Sequence, residues 1–228
     1  MEKSEKVHDI FERISPFYDK ANDRISLGMQ KRWKRVLITN LSSKLKKTDK
    51  ILDVCCGTGD IAISLAKNDE LDVVGLDFSE SMLKVAKEKT KNYSNISFIK
   101  ADAKNIPYPD NTFKASTISF GLRNTDDYTK VIAEMVRVSK KDAYIYILDS
   151  FPVKNKIIKP FYIFFFKYLM PFLGGGFKNF RDYNWLYEST KNFIDPSEIY
   201  KIYQKLGLRN IEIKKMMFGA CVLIMGEK

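Results

Sequence analysis

The chain is short of the residues that build metal and redox centres. It carries one histidine, His8, and three cysteines in 228 residues. Cys55 and Cys56 are adjacent and Cys221 is remote, so the pattern holds neither a C-x-x-C pair nor a disulfide framework. We therefore expect no metal, a reducing cytosolic setting, and thiols that serve as small apolar packing residues. His8 lies on an amphipathic N-terminal pattern and reads as a surface or capping residue rather than a catalytic one. A long apolar run is also missing. The opening "MEKSEKVHDIFERI" has no apolar h-region, so no secretory signal is expected. The most apolar stretch, "IIKPFYIFFFKYLMPFL" at 157–173, is interrupted by Lys159 and Lys167. Between Pro160 and Pro171 it allows a helix of about eleven residues, roughly 17 Å, against a hydrocarbon core of ~30 Å. It is not expected to span a bilayer.

Acidic residues are in the minority. Lys and Arg total 39 against 28 Asp and Glu, a net charge of +11. Such a balance suits anionic partners, whether nucleic acid, acidic headgroups or a phosphate-bearing ligand, and equally a solvated lysine-rich surface. The lysines are scattered and form no stripe interleaved with aromatics, which argues against a nucleic-acid-binding module. Length and composition suit one globular domain over 1–228.

Val7, Ile10, Phe11 and Ile14 fall at helical spacing, as do Trp33, Val36, Leu37 and Leu41. "SPFYDKANDRISLG" between them reads as a polar connection. From residue 50 short strands (50–54, 72–76, 96–100, 115–119, 143–149) alternate with helical patterns (58–67, 79–90, 126–139). Residues 151–194 are aromatic and irregular. A helix at 196–206 then precedes strands at 210–217 and 219–225, a hairpin with Gly219 near its turn. The alternation predicts an α/β fold, a doubly wound, mostly parallel sheet with an antiparallel strand at one edge.

"ILDVCCGTGDIAISLA" at 51–66 runs a buried strand through two glycines into a helix. Gly57-Thr58-Gly59-Asp60-Ile61-Ala62 fits G-x-G-x-x-A, and Asp77 follows Gly57 by 20 residues. Glycines admit a ligand close to the backbone, helix N-terminal amides face it, and an acidic residue receives ribose hydroxyls. A dinucleotide and a methyl donor both satisfy this logic. Asp53, at the end of the first strand, is unfavourable beside a pyrophosphate and favourable beside a sulfonium and an α-amino group. Asp102 ends a third strand, where it can meet an adenine amino group. The fingerprint also starts only after some 50 residues of helix. Each carboxylate alone also suits a turn or cap. Together the three favour S-adenosylmethionine.

With "LDVCCGTGD", "GLDFSESML", "ADAKNIPYPDNTF", "SFGLRNTDDY" and "NWLYEST", the chain resembles the C-methyltransferases of menaquinone and ubiquinone biosynthesis. The N-terminal "VHDIFERISPFYDKANDRISLGMQKRWKR" is similar to their opening segment, so the likeness covers roughly residues 6 to 226. The resemblance implies the seven-stranded class I methyltransferase fold. It implies Thr58, Asp77, Asp102, Ala103 and Ser119 as S-adenosylmethionine positions, which with Asp53, Gly57, Gly59 and Phe78 make up the expected donor site. Arg123 and Asn124 of "FGLRN" fall near the acceptor ring, with Phe120. Tyr18 and Asn22 belong to an N-terminal lid spanning 1–48, ahead of a donor-binding core at 49–150. The segment 151–194 is then an aromatic substrate or tail-binding insertion, and 195–228 the closing helix and strands. "SKKDAY" stands where the family carries a "KPGG" turn, "LD" at Leu148-Asp149 where it carries "LE", and "GGGFKNFRDY" is richer in glycine than the family pattern.

The implied acceptor is a polyprenyl quinol, demethylmenaquinol first, with the benzoquinol of ubiquinone synthesis or another lipid or small molecule as the alternative. Arg123 is then expected to stabilise a developing oxyanion, with Asn124 orienting it and Asp149 available as a base. An ion pair between Arg123 and Asp126 or Asp127 is the competing structural role. The aromatic segment suits a core helix, a homodimer contact, a wall for a prenyl tail or an interfacial helix. With the basic charge it implies weak, peripheral, salt-sensitive association with the inner membrane face.

Overall fold

The computed structural model describes residues 3–165 and 187–228. Three helices open the chain: α1 (Lys3–Ile14), α2 (Tyr18–Ile25) and α3 (Met29–Ser42). The polar connection expected at 15–28 is thus largely helical. A 3-10 turn over Ser15–Phe17 carries Pro16 within its first two positions, where proline's fixed φ suits a helix entry. Tyr18, Ala21, Asn22 and Ile25 then share one face, and Ala21 and Ile25 are buried. The proline that suggested punctuation lies within the 3-10 turn that leads into α2.

The core alternates as the sequence pattern predicts. It runs β1 (Lys50–Val54), α4 (Asp60–Ala66), β2 (Asp72–Asp77), α5 (Glu80–Lys89), β3 (Ile96–Lys100), β4 (Phe113–Ser119), α6 (Tyr128–Val138) and β5 (Ser139–Ser150). After α7 (Ile158–Phe164) come α8 (Pro196–Lys205), β6 (Arg209–Met216) and β7 (Cys221–Glu227). The expected helix from Pro160 begins earlier, at Ile158; Pro171 and the glycine-rich 174–183 lie outside the described residues. β5 begins at Ser139, earlier than expected, and bends at Asp142, whose φ of 59° does the work of a glycine turn within "SKKDAY".

The seven strands lie in the order β3-β2-β1-β4-β5-β7-β6. The first five are parallel, and β7 is antiparallel to both β5 and β6. A 3-10 turn over Met217–Gly219 closes the β6–β7 hairpin. Strand alternation divides the core into two layers. Leu52, Val74, Ile145 and Ile147 face α6 and α8, packing with Val131, Met135, Ile199 and Tyr203. Ile51, Val73, Tyr146 and Leu148 face the other side, against Leu37 and Leu41 of α3 and Leu65 of α4. Sheet order reverses between β1 and β4, and the crevice beyond their carboxyl ends is where this architecture takes ligands.

Among the described residues no helix is long and apolar enough to cross a membrane. Gly75 in β2 is closely packed near that crevice. A Cβ there would sit 2.6 Å from the Phe98 ring and 2.9 Å from Cys56 Sγ. We expect Gly75→Ala to destabilise the protein by about 1–3 kcal/mol, the usual cost of overpacking, seen as a lowered urea midpoint. An unchanged midpoint would show that the ring moves aside freely.

Candidate active site

Two cavities open beyond the strand ends. The first, about 280 Å³, is lined by Gly57, Asp77, Phe78, Asp102, Ala103 and Ser119 from the sheet side. Val7, Phe11 and Tyr18 of the N-terminal helices close its other side, and Asn124 stands at its end. The turn from β1 to α4 builds one wall. Cys55, Gly57 and Gly59 all hold positive φ, at 52°, 55° and 86°. Gly59 takes the left-handed conformation at the α4 N-terminus, which a side chain would resist. The Gly57 amide donates to Asp77 Oδ2 at 2.8 Å and the Ser79 amide to Oδ1 at 2.9 Å. Those bonds orient the carboxylate, while burial pushes its pKa up to about 6.

Asp102 is fixed in the same manner, accepting from the Lys104 amide at 2.8 Å. Ser119 Oγ is buried without a hydrogen-bond partner among the described residues, an acceptor and donor left for a ligand. Two carboxylates, an unused hydroxyl and a greasy floor of Phe78, Met82 and Ala103 fit an adenosine-bearing ligand with a cationic portion.

Asp53 departs from its expected place. It is buried and does not line this cavity. Instead its carboxylate accepts from Thr117 Oγ1 at 2.8 Å and from the Ala62 amide at 3.2 Å. Burial pushes it up to about 7, against those two hydrogen bonds. Its contribution is to anchor the first turn of α4 to the sheet. Thr58 and Gly59 do not line the cavity either. Thr58 Oγ1 donates to Asp19 Oδ1 of α2 at 2.6 Å, and Lys89 Nζ pairs with Asp19 and donates to the Thr58 carbonyl at 3.1 Å.

A second latch holds α1. Glu12 accepts from Ser79 Oγ at 2.7 Å and from the Ser81 amide at 3.3 Å, at the N-terminus of α5. Burial opposes its ionisation, and the hydrogen bonds from Ser79 and Ser81 outweigh that, lowering its pKa. His8 packs edge-on to Phe78 with ring centroids 5.3 Å apart. Sequence reasoning missed Glu12 and Asp19. Their partners are 67 and 39 residues away, and only the acidic face of each amphipathic helix hinted at them.

The second cavity, about 500 Å³, is almost wholly apolar. Asn22, Ile25, Trp33, Phe161, Tyr162 and Phe218 are among its walls, with Arg123 as its cation. Phe120 lines both cavities and partitions them. Its φ of 58° is costly for a non-glycine residue and is held from both sides. Its amide donates to the Leu148 carbonyl at 2.7 Å, and its own carbonyl accepts from an Arg123 guanidinium nitrogen at 2.8 Å and Asn124 Nδ2 at 3.3 Å. Arg123 in turn forms a buried ion pair with Asp149, which also accepts from the Arg123 amide at 3.1 Å and the Ser150 amide at 2.8 Å.

That arrangement corrects two expectations. The carboxylate partner of Arg123 is Asp149, whereas Asp126 pairs with Lys104 and Asp127 caps α6. Asp149 lines neither cavity and has both oxygens engaged, so it supports Arg123 and is not placed to take a proton from a ligand. Tyr18 faces the first cavity beside Asn22. Burial pushes its phenol up to about 12, partly opposed by the Arg123 charge, so it stays a neutral donor.

Comparison with known proteins bears on family and fold. A demethylmenaquinone methyltransferase of Staphylococcus carnosus (strain TM300) is 42% identical over 229 residues, covering 99% of this chain and 94% of that protein. Another, from Anoxybacillus flavithermus (strain DSM 21510 / WK1), is 37% identical over 231 residues, covering 99% and 97%. Among solved structures, a SAM-dependent methyltransferase of Thermotoga maritima, described as a possible histamine N-methyltransferase, superposes with a TM-score of 0.66 at 18% identity, covering 96% of this chain and 99% of its own. Phosphoethanolamine N-methyltransferase 2 of Haemonchus contortus in complex with S-adenosyl-L-methionine gives 0.62 at 19% identity, over 79% of this chain and 38% of that one. These two structures establish the fold. The profile of the ubiE/COQ5 methyltransferase family matches residues 1–228, and the chain belongs to that family.

Proposed function

We propose that this methyltransferase transfers a methyl group from S-adenosylmethionine to the ring carbon of demethylmenaquinol in menaquinone biosynthesis. The observation that carries the reading is the pair of cavities meeting at Phe120, one with carboxylates and one apolar whose single cation among the described residues is Arg123. A cationic nucleoside suits the first and a polyprenyl quinol the second. The relatives' shared name supplies the acceptor's identity.

S-adenosylmethionine, when bound, supplies a methyl group already activated on a sulfonium. Asp77 and Asp102 orient the nucleoside portion, and the lid residues Val7, Phe11 and Tyr18 exclude water over it. Arg123 would stabilise negative charge developing on the quinol oxygen as its hydroxyl proton passes to water, which makes the ring carbon nucleophilic. The carbon–methyl bond forms as the sulfonium–methyl bond breaks to leave S-adenosylhomocysteine, and the ring proton displaced from that carbon returns the hydroxyl to neutrality through water. Tyr18 and Asn22 approach from the lid, and Asn124 and Arg123 together hold the Phe120 carbonyl so that the partition stays in register. Asp149 is a positioning residue for Arg123. Alignment of the two substrates then supplies much of the rate. A weak, peripheral association with the membrane that holds the acceptor belongs to the same reading.

The direct experiment offers labelled donor to demethylmenaquinol, the benzoquinol equivalent and bulk RNA in parallel. Label should enter the naphthoquinol; label in RNA alone would overturn the assignment. Arg123→Ala should lower turnover by about a hundredfold or more, the loss typical of one charge-stabilising donor, while S-adenosylhomocysteine affinity hardly changes. Asp149→Asn should lower turnover similarly and also cost about 3–5 kcal/mol of stability, because it strands a buried guanidinium. Near-normal turnover in Arg123→Ala would remove Arg123 from the mechanism.

Asp77 generates a pH dependence. A carboxylate with a pKa near 6 accepts ribose hydroxyls above that pH and loses the capacity as it protonates. Affinity for S-adenosylhomocysteine should be level above pH 7 and fall as pH drops through 6, approaching about tenfold per unit, as one-proton linkage requires. Calorimetry should find Asp77→Asn weaker and nearly flat across the range. A mutant profile that still falls through pH 6 would assign the titration elsewhere.

A further inference from the structure

The rim of the second cavity carries an unusual concentration of exposed apolar side chains. Among the described residues eight large hydrophobics are exposed. Five of the eight, Leu27, Phe161, Phe164, Met217 and Phe218, line this one cavity. Leu27 and Phe218 are each 71% exposed and Phe161 74%. They come from three separate places: the turn after α2, the helix α7 and the β6–β7 hairpin. α7 buries none of its seven residues, although its sequence is "IKPFYIF". Phe161 and Phe164 are three apart and share one face.

The backbone is bent at a cost to present this rim. Leu27, Met217 and Phe218 hold φ of 49°, 46° and 56°. Such conformations are unfavourable in residues with a side chain. They turn apolar side chains outward, the reverse of what packing in water favours. Lysines lie beside α7. Lys156 and Lys159 precede or lie in that helix and share one surface hollow with Phe164 of the rim; both are exposed and hold no ion pair among the described residues. Lysines around an apolar patch suit a surface with negative headgroups over hydrocarbon. Pairing this face with a second copy would bring the lysines of both copies together, so like charge disfavours a dimer here.

We propose that this rim docks on the surface of an anionic lipid bilayer. The five apolar side chains enter the interfacial layer and the flanking lysines meet the headgroups. The mouth of the second cavity then opens directly into lipid, and an acceptor's prenyl tail stays in the bilayer while its ring passes inward to Arg123. This rests on the reading of that cavity as the acceptor's.

The test is co-sedimentation of the full chain with vesicles of phosphatidylcholine alone or mixed with phosphatidylglycerol, at low and high salt. Binding should need phosphatidylglycerol and fall about tenfold or more at high salt or in K156Q/K159Q, as removal of two lysines from an anionic surface predicts. Ile157, 78% exposed beside the rim, lines neither cavity. The variant I157S/F161S, checked for folding by circular dichroism, should lose binding to every vesicle. Equal binding to both compositions at both salts, or full binding by I157S/F161S, would overturn the docking. So would a concentration-dependent dimer that I157S/F161S dissolves while vesicles go unbound. A parallel assay with a tail-less soluble naphthoquinol separates the two readings. K156Q/K159Q should match the wild type there, and wild-type failure on that acceptor would sink the acceptor assignment whatever the vesicles show.

Discussion

A buried ion pair at the end of β5 organises the ground between the two cavities. Asp149 is fully buried and holds both the backbone amide and the guanidinium of Arg123. Arg123, so placed, holds the carbonyl of Phe120, and Phe120 is the wall the cavities share. Charges taken this far from water are tolerated only when their remaining hydrogen bonds are met. Here the Ser150 amide completes the carboxylate's set and the Phe120 carbonyl accepts from the guanidinium. The pair is better explained by the geometry it enforces than by stability, since an apolar replacement of the same volume would pack as well. It fixes where a positive charge meets the apolar cavity.

The donor side is held by a different principle. Its polar groups are oriented by backbone amides: Gly57 and Ser79 fix Asp77, and Lys104 fixes Asp102. Such groups need no reorganisation when a ligand arrives. Over them the helices α1 and α2 are attached by a few polar latches, Glu12 to Ser79 and Ser81 and Asp19 to Thr58 and Lys89, together with the His8–Phe78 ring contact. A cover joined by polar contacts can release more readily than one joined by a continuous core. That distinction suits a ligand that must enter and a product that must leave through the same space.

Much of the candidate site was legible beforehand because it sits where strands end. A strand of five residues running into glycines has one architectural meaning, and the acidic residues that follow at β2 and β3 fall where parallel sheets place ligands. Asp53 shows the limit of that reasoning. Its position at a strand end made it a candidate for the ligand, but in a strand successive side chains point to opposite faces, and its own is taken by α4. Asp149 shows the same limit. A carboxylate next to a catalytic region reads as a base until its two oxygens are found committed to one arginine.

The order of strands and helices, the switch point between β1 and β4, and the apolar character of both sheet faces were determined by the sequence itself. They follow from local periodicity, from glycine placement and from the chain connectivity of parallel strands. The pairing of Arg123 with Asp149, the helical form of Tyr18–Ile25, the latches made by Glu12 and Asp19, and the gathering of Leu27, Phe161 and Phe218 around one opening were decided only by the tertiary structure. Each joins segments that lie tens of residues apart or turns on which face of an element is covered. Neither propensity nor spacing carries that information, because burial is a property of the packed molecule and not of any stretch of it.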